Sequence, residues 1–226
     1  MFNYLIRVQL PDRPGALGAV ASRVGSVGGD VISIDILERE RGIVVDELGV
    51  GLAADDLIGL LRDEILEVDG VIIESIRPVE GPLPDRDMEL LGMASELLGQ
   101  TSTTELLELL VSRVRRSMAA TFAVVFEHTT AELVIGDGEQ PGPDELCAIR
   151  AAAELDAAEP FSVDRADEAA DSALSEETRA GPATGVMAGA GLVLAVGRQV
   201  PVLRRRERRW IAAMAELADH GWQQLG

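Results

Sequence analysis

Within the first 78 residues the period of the apolar side chains changes repeatedly between two and about 3.6, and this order of periods restricts the fold more than any other feature. Phe2, Tyr4, Ile6, Val8 and Leu10 alternate along residues 2–10, as on one face of a strand. Leu17, Val20, Ala21, Val24 and Val27 follow at helical spacing, and Gly28-Gly29 ends that run. Ile32, Ile34 and Ile36 alternate again; Arg41-Gly42 predicts a hairpin turn, and Ile43–Leu52 a third strand. Asp55 opens a second helix with Leu57, Ile58, Leu61 and Ile65 on one face, and Val71–Arg77 forms a fourth strand. The order βαββαβ predicts the split-βαβ, ferredoxin-like arrangement, an antiparallel sheet with both helices on one side.

Pro78, Gly81, Pro82 and Pro84 then break the pattern. The expected division is a first domain over 1–79, a Pro/Gly linker over 80–86 and a second domain over 87–226, in keeping with a chain of 226 residues. In the second part a helical pattern covers residues 87–118 with a break near Gln100-Thr101. Ala123–Glu127 and Glu132–Gly136 read as strands, Asp137–Asp144 as a loop, and Cys147–Leu155 as a short helix. Residues 156–184 are acidic and poor in large apolar groups; they read as loop with a short strand and one helical turn. Gly185–Gly189 and Gly191–Gly197 are the next strands, and residues 203–225 form a last helix with Trp210, Ile211, Met214 and Leu217 toward the core. The fold class is therefore α+β, the second domain having a central antiparallel sheet with flanking helices.

Charge excludes several partners. The chain carries 39 acidic and 20 basic residues, a formal net charge of −19, which repels nucleic acid and anionic membranes. Every basic residue is Arg, so lysine Schiff-base chemistry is excluded. No apolar run approaches the roughly 20 residues of a membrane span, and the N-terminus has no signal-peptide pattern. A cytoplasmic protein is expected. The single cysteine, Cys147, is expected to be a buried or half-buried structural residue. His128 and His220 have no metal-ligand spacing or nucleophile motif around them, so no metal, cofactor or catalytic residue is expected. Arg204, Arg205, Arg206, Arg208 and Arg209 form the one basic cluster, read as a helix face that neutralises nearby acids. Asp55-Asp56 read as charge at a helix N-terminus.

The chemistry-bearing segment is Leu10-Pro11-Asp12-Arg13-Pro14-Gly15-Ala16-Leu17, which joins the first strand to the first helix. Amides of a first helical turn have no intrahelical acceptor. Those of Gly15, Ala16 and Leu17 therefore point outward with the positive end of the helix dipole, where a small carboxylate is well held. Gly15 leaves room for it. The competing use of the same amides is a plain N-cap by Asp12.

Tyr4 to Arg77, with Asp12-Arg13-Pro14-Gly15-Ala16-Leu17 and Gly29-Asp30-Val31-Ile32, resembles an ACT domain, a regulatory module that binds amino acids. The resemblance implies two modules side by side, with ligand between the first loop of one and the second strand of the other. It implies Asp12, Arg13, Gly15, Ala16 and Leu17 on the loop, and Asp30, Val31 and Ile32 on the strand, as ligand-binding residues. Serine-sensing members usually carry Asn at two of these positions; here they are Asp12 and Asp30, which keeps the amino-acid class but not serine as the ligand. The second part resembles a GAF domain through Gly191-Leu192-Val193-Leu194-Ala195-Val196-Gly197 and through Glu207-Arg208-Arg209-Trp210-Ile211, which opens the last helix. Together the resemblances imply a non-enzymatic, allosteric sensor, homodimeric through its ACT domains. The alternative is a ligand-free dimerisation protein that serves as regulatory subunit of a separate metabolic enzyme or signalling protein.

Overall fold

The computed structural model describes residues 1–40, 42–156 and 181–226. The chain forms two compact units, Met1–Asp85 and Arg86–Gly226, each with its own antiparallel four-stranded sheet.

The first unit runs β1 (Phe2–Pro11), α1 (Ala16–Ser26), β2 (Asp30–Glu40), β3 (Ile43–Leu52), α2 (Leu57–Leu66) and β4 (Ile72–Val79). The sheet order is β2-β3-β1-β4, the split-βαβ order that the periodicity predicts. Tyr4, Ile6, Val8 and Leu10 of β1, with Leu48, Val50 and Leu52 of β3, meet Val20 and Val24 of α1 and Leu61 and Ile65 of α2 in one core. Phe2 shares their face by period but is half exposed. On the other face Arg7 stands opposite Glu47 in the β1–β3 register. The two form a buried ion pair, 3.0 Å between Nη2 and Oε2. Gly42 closes the β2–β3 hairpin at φ 79°, while Arg41, its expected partner in the turn, lies outside the described residues. Residues 80–85 stay with the first unit: Asn3 Nδ2 donates to the Gly81 carbonyl at 2.6 Å, and Leu83 lies against the bare backbone of Gly49.

The second unit contains α3 (Arg86–Leu98), α4 (Thr103–Ser117), β5 (Phe122–Glu127), β6 (Leu133–Gly138), α5 (Pro143–Asp156), β7 (Ala183–Met187), β8 (Leu192–Gly197) and α6 (Arg205–Leu225). Its sheet order is β6-β5-β8-β7. The two-residue period divides the core: Ala123, Val125, Leu192, Leu194 and Val196 face α3, α4 and α6, while Val124, Phe126, Val193 and Ala195 face Leu146, Ile149 and Ala153 of α5. The expected break near Gln100 is present, because Ser102 caps α4 by accepting the Glu105 amide at 3.2 Å. Helix α5 begins at Pro143, earlier than Cys147. Proline needs no donor in a first turn, and Glu145 accepts the Gly142 amide at 2.9 Å. Strand β7 likewise starts and ends two residues before the expected Gly185–Gly189, since residues 188–190 are needed for the turn into β8. Most of the acidic stretch expected as loop over 156–184, namely 157–180, lies outside the described residues. Among the described residues no helix is long and apolar enough to cross a membrane.

Candidate functional site

The loop after β1 is held open by glycine. Gly15 precedes α1 at φ 86°, in the left-handed region, and no side chain caps the helix. Asp12 is therefore not the N-cap. Its carboxylate instead pairs with Arg39 of β2, 3.4 Å from Nη2 to Oδ1, and its amide donates to the Gly42 carbonyl at 2.8 Å. A methyl group built on Gly15 would meet no atom within 4 Å. The glycine thus serves the backbone conformation, and the space above it is open.

Of the three amides expected to be bare, that of Ala16 is not, since it donates to the Arg13 carbonyl at 3.3 Å. The tight turn at Pro14-Gly15 folds Arg13 back over the first helical turn. The amides of Gly15 and Leu17 donate to no backbone carbonyl among the described residues. They remain at the positive end of α1. Asp12, Arg13, Pro14 and Gly15 are exposed, Leu17 is half-buried, and Ala16 packs into the core.

Asp30, Val31 and Ile32 lie elsewhere in the chain. In register Asp30 stands beside Gly51 and Val31 beside Val50, and Gly51 in turn stands beside Asn3. The loop follows Pro11, at the opposite end of β1. Eight residues at about 3.3 Å each separate the two groups by roughly 26 Å. One chain therefore does not bring its loop and its Asp30–Ile32 segment together. Strand β2 is an edge strand, with irregularities in its pairing between Val31 and Ser33 and between Ile36 and Glu38. Ile32, Ile34 and Ile36 are 50%, 46% and 49% exposed along it.

Two acidic residues of the first unit have roles that the sequence reading did not assign. Asp46 of β3 stands between Val8 of β1 and Ile36 of β2, on the core face of the sheet, and is 2% exposed. Its Oδ1 has no hydrogen-bond partner among the described residues. Burial raises its pKa above the ordinary carboxylate value, against the opposing pull of Arg39. Asp55, expected as helix-end charge, lies ahead of an α2 that begins at Leu57. It accepts the hydroxyl of Tyr4. That hydrogen bond, with burial and the carboxylate's charge, pushes the phenol up to about 12. The sequence signal for Asp46 was a charged pair, Asp46-Glu47, inside an otherwise apolar strand.

In the second unit Cys147 is exposed rather than buried, because α5 turns Leu146 and Ile149 inward and so carries residue 147 outward. Within the basic cluster, Arg208 donates to the Leu203, Pro182 and Gly181 carbonyls. Arg206 pairs with Asp87 at 3.4 Å. The buried Arg198–Glu207 pair, 2.9 Å apart, ties β8 to the start of α6. Asp219 accepts the amides of Gly189 and Ala190 at 2.9 and 2.8 Å, fixing the β7–β8 turn to α6.

No family model matches the chain, and no curated protein matches it significantly. Among solved structures, a formyltetrahydrofolate deformylase from Pseudomonas putida aligns at 12% identity and a TM-score of 0.29 over 43% of this chain and 39% of that one. The chain thus spans about two fifths of the deformylase's length. A protein of unknown function from Galdieria sulphuraria aligns at 12% identity and a TM-score of 0.32 over 69% of this chain and 90% of the other. At these scores neither likeness assigns a fold family or an activity to the chain.

Proposed function

We propose that the chain is a non-enzymatic regulatory protein of ACT–GAF type that binds a small amino acid between two copies of its first unit. The observation that carries this is the separation of the Asp12–Leu17 loop from Asp30–Ile32 within one chain, combined with the open edge of β2. Two β2 strands paired antiparallel about a two-fold axis midway along Ser33–Ile36 would set Asp30 of the second copy opposite Arg39, next to Asp12. The ligand's carboxylate would take the amides of Gly15 and Leu17 at the helix N-terminus. Arg39 offsets the repulsion that Asp12 would otherwise exert on that carboxylate. The ammonium group would meet Asp30 of the second copy and β2 carbonyls. A ligand with different affinities for two subunit packings shifts the balance between them, and the Pro-rich segment 78–84 would pass the shift to the second unit. That unit's four-stranded sheet with helices on both faces supports a GAF-like fold.

Isothermal titration calorimetry of the full chain with each of the twenty L-amino acids tests the proposal. Saturable heat from one or a few is expected; no heat from any at millimolar ligand contradicts it. The exposed isoleucines of β2 also favour a second reading, a ligand-free dimer that serves as regulatory subunit of a separate enzyme. Stoichiometric copurification of an enzyme, with assembly indifferent to amino acids, would select that alternative.

A further inference from the structure

Arg39 stands within reach of two carboxylates. Its side chain pairs with Asp12 on the loop after β1 at 3.4 Å, with 59% of the Arg39 side chain and 35% of the Asp12 side chain exposed. In register Arg39 lies beside Val44, two residues along β3 from Asp46. Val44 and Asp46 in turn lie beside Leu10 and Val8 of β1, so Arg39 and Asp46 share the helix side of the sheet. The pairing irregularity between Ile36 and Glu38 makes Arg39 follow Ile36 on that side. Diagonal neighbours on one face of a sheet are within reach of a long side chain. Ile36, beside Asp46, is 49% exposed, so a guanidinium can approach from the open edge and keep part of its hydration.

Among the described residues no other element brings a competing charge toward Asp46. Helices α1 and α2 turn Val20, Val24, Leu61 and Ile65 to this face, and their Arg23 and Glu64 pair with each other. Arg7 and Glu47 pair on the opposite face, where Glu38 and Glu40 also lie, beside Val45 and Ile43. Arg13 of the loop is exposed. An exposed ion pair contributes little, whereas a buried charge left unpaired is costly. Once Asp46 is ionised, the guanidinium therefore gains more beside it than beside Asp12. While Asp46 holds its proton that gain is absent, and Asp12 keeps the cation. Burial raises the pKa of Asp46 above the ordinary carboxylate value.

We infer that Arg39 is a switch between the two carboxylates: it pairs with Asp12 while Asp46 is protonated and with Asp46 once that group is ionised, leaving the Asp12 charge uncompensated on the loop. The switch requires neither a bound amino acid nor a second copy.

The test is NMR of the full chain labelled with ¹³C and ¹⁵N, following the Asp46 carboxyl carbon and the Arg39 Nε–Hε group as pH is lowered from neutrality. The expected Arg39 order parameter is near the roughly 0.85 of rigid backbone on the high-pH side of the Asp46 midpoint and below about 0.6 on the low-pH side. In Asp46→Asn it should stay low throughout. In Asp12→Asn the rigid state above the midpoint should persist. The inference is overturned if the order parameter does not change across the midpoint, if it changes equally in Asp46→Asn, or if Asp12→Asn abolishes the rigid state. An Asp46 that shows no midpoint between neutrality and acid unfolding also overturns it.

Discussion

Asp12 and Arg39, 27 positions apart in sequence, meet at 3.4 Å where the loop after β1 crosses the end of β2. The pair converts an acid that would repel a ligand's carboxylate into part of a near-neutral rim. It also anchors a loop whose helix has no side-chain cap. Both partners are substantially exposed, so the pair adds well under about 1 kcal/mol to stability. Asp12→Ala is therefore expected to leave the urea midpoint nearly unchanged. Amino-acid heat in calorimetry should persist, because the substitution removes the carboxylate that repels the ligand and leaves the Arg39 charge.

The buried carboxylate of Asp46 is a stability cost. Its pKa is raised in the folded chain, so the folded state holds its proton more tightly than the unfolded state does. Stability from this group is fully present below the unfolded pKa and is lost as pH rises through the folded one. Asp46→Asn should accordingly stabilise the chain by about 1 kcal/mol at neutral pH. The advantage should shrink as pH falls into the carboxylate range, as measured by urea unfolding across a pH series.

Arg7 and Glu47 are 1% and 2% exposed in their side chains. Truncating one member leaves the other's charge buried without compensation, a loss of about 3 kcal/mol or more. Glu47→Ala is expected to lower the unfolding midpoint by far more than Asp12→Ala does. Equal effects of the two would mean that the buried pair contributes no more than the exposed one.

The edge of β2 gives a separate prediction. A charge on an edge strand blocks pairing with another chain, and Ile34 is 46% exposed on β2. Ile34→Arg should halve the molar mass measured by light scattering while leaving the circular dichroism spectrum intact. A mass unchanged by this substitution would remove β2 from the dimer interface.

The alternating residues of β1 and the helical spacing of Val20 and Val24 were legible in the sequence because one face of each element is buried against a core. The same periodicity made β5 and β8 readable, and it divides their residues between two cores. Element ends were less legible, as at Pro143 and at the start of β7. They depend on single hydrogen bonds, such as that of Gly142 to Glu145, and on the room a turn needs. In the candidate site, Gly15 could be singled out because a positive φ favours that residue type. Arg39 could not, and Asp46 only as half of a charged pair inside an apolar strand. Their roles arise from the register of β2 against β3 and β3 against β1, which bulges at Val31/Ser33 and Ile36/Glu38 alter and which local spacing does not encode.

Subunit mixing tests the shared site most directly. Gly15→Val strains a backbone held at φ 86° and costs roughly 1–2 kcal/mol, while Asp30→Arg alters the β2 contribution. Each variant alone is expected to bind no amino acid. A 1:1 mixture, exchanged by mild denaturation and refolding, is expected to regain about one quarter of the parental sites, because half the dimers are mixed and each has one unaltered site. A mixture that binds nothing, while the parent binds, would mean that each site lies within a single chain, and the account would be contradicted.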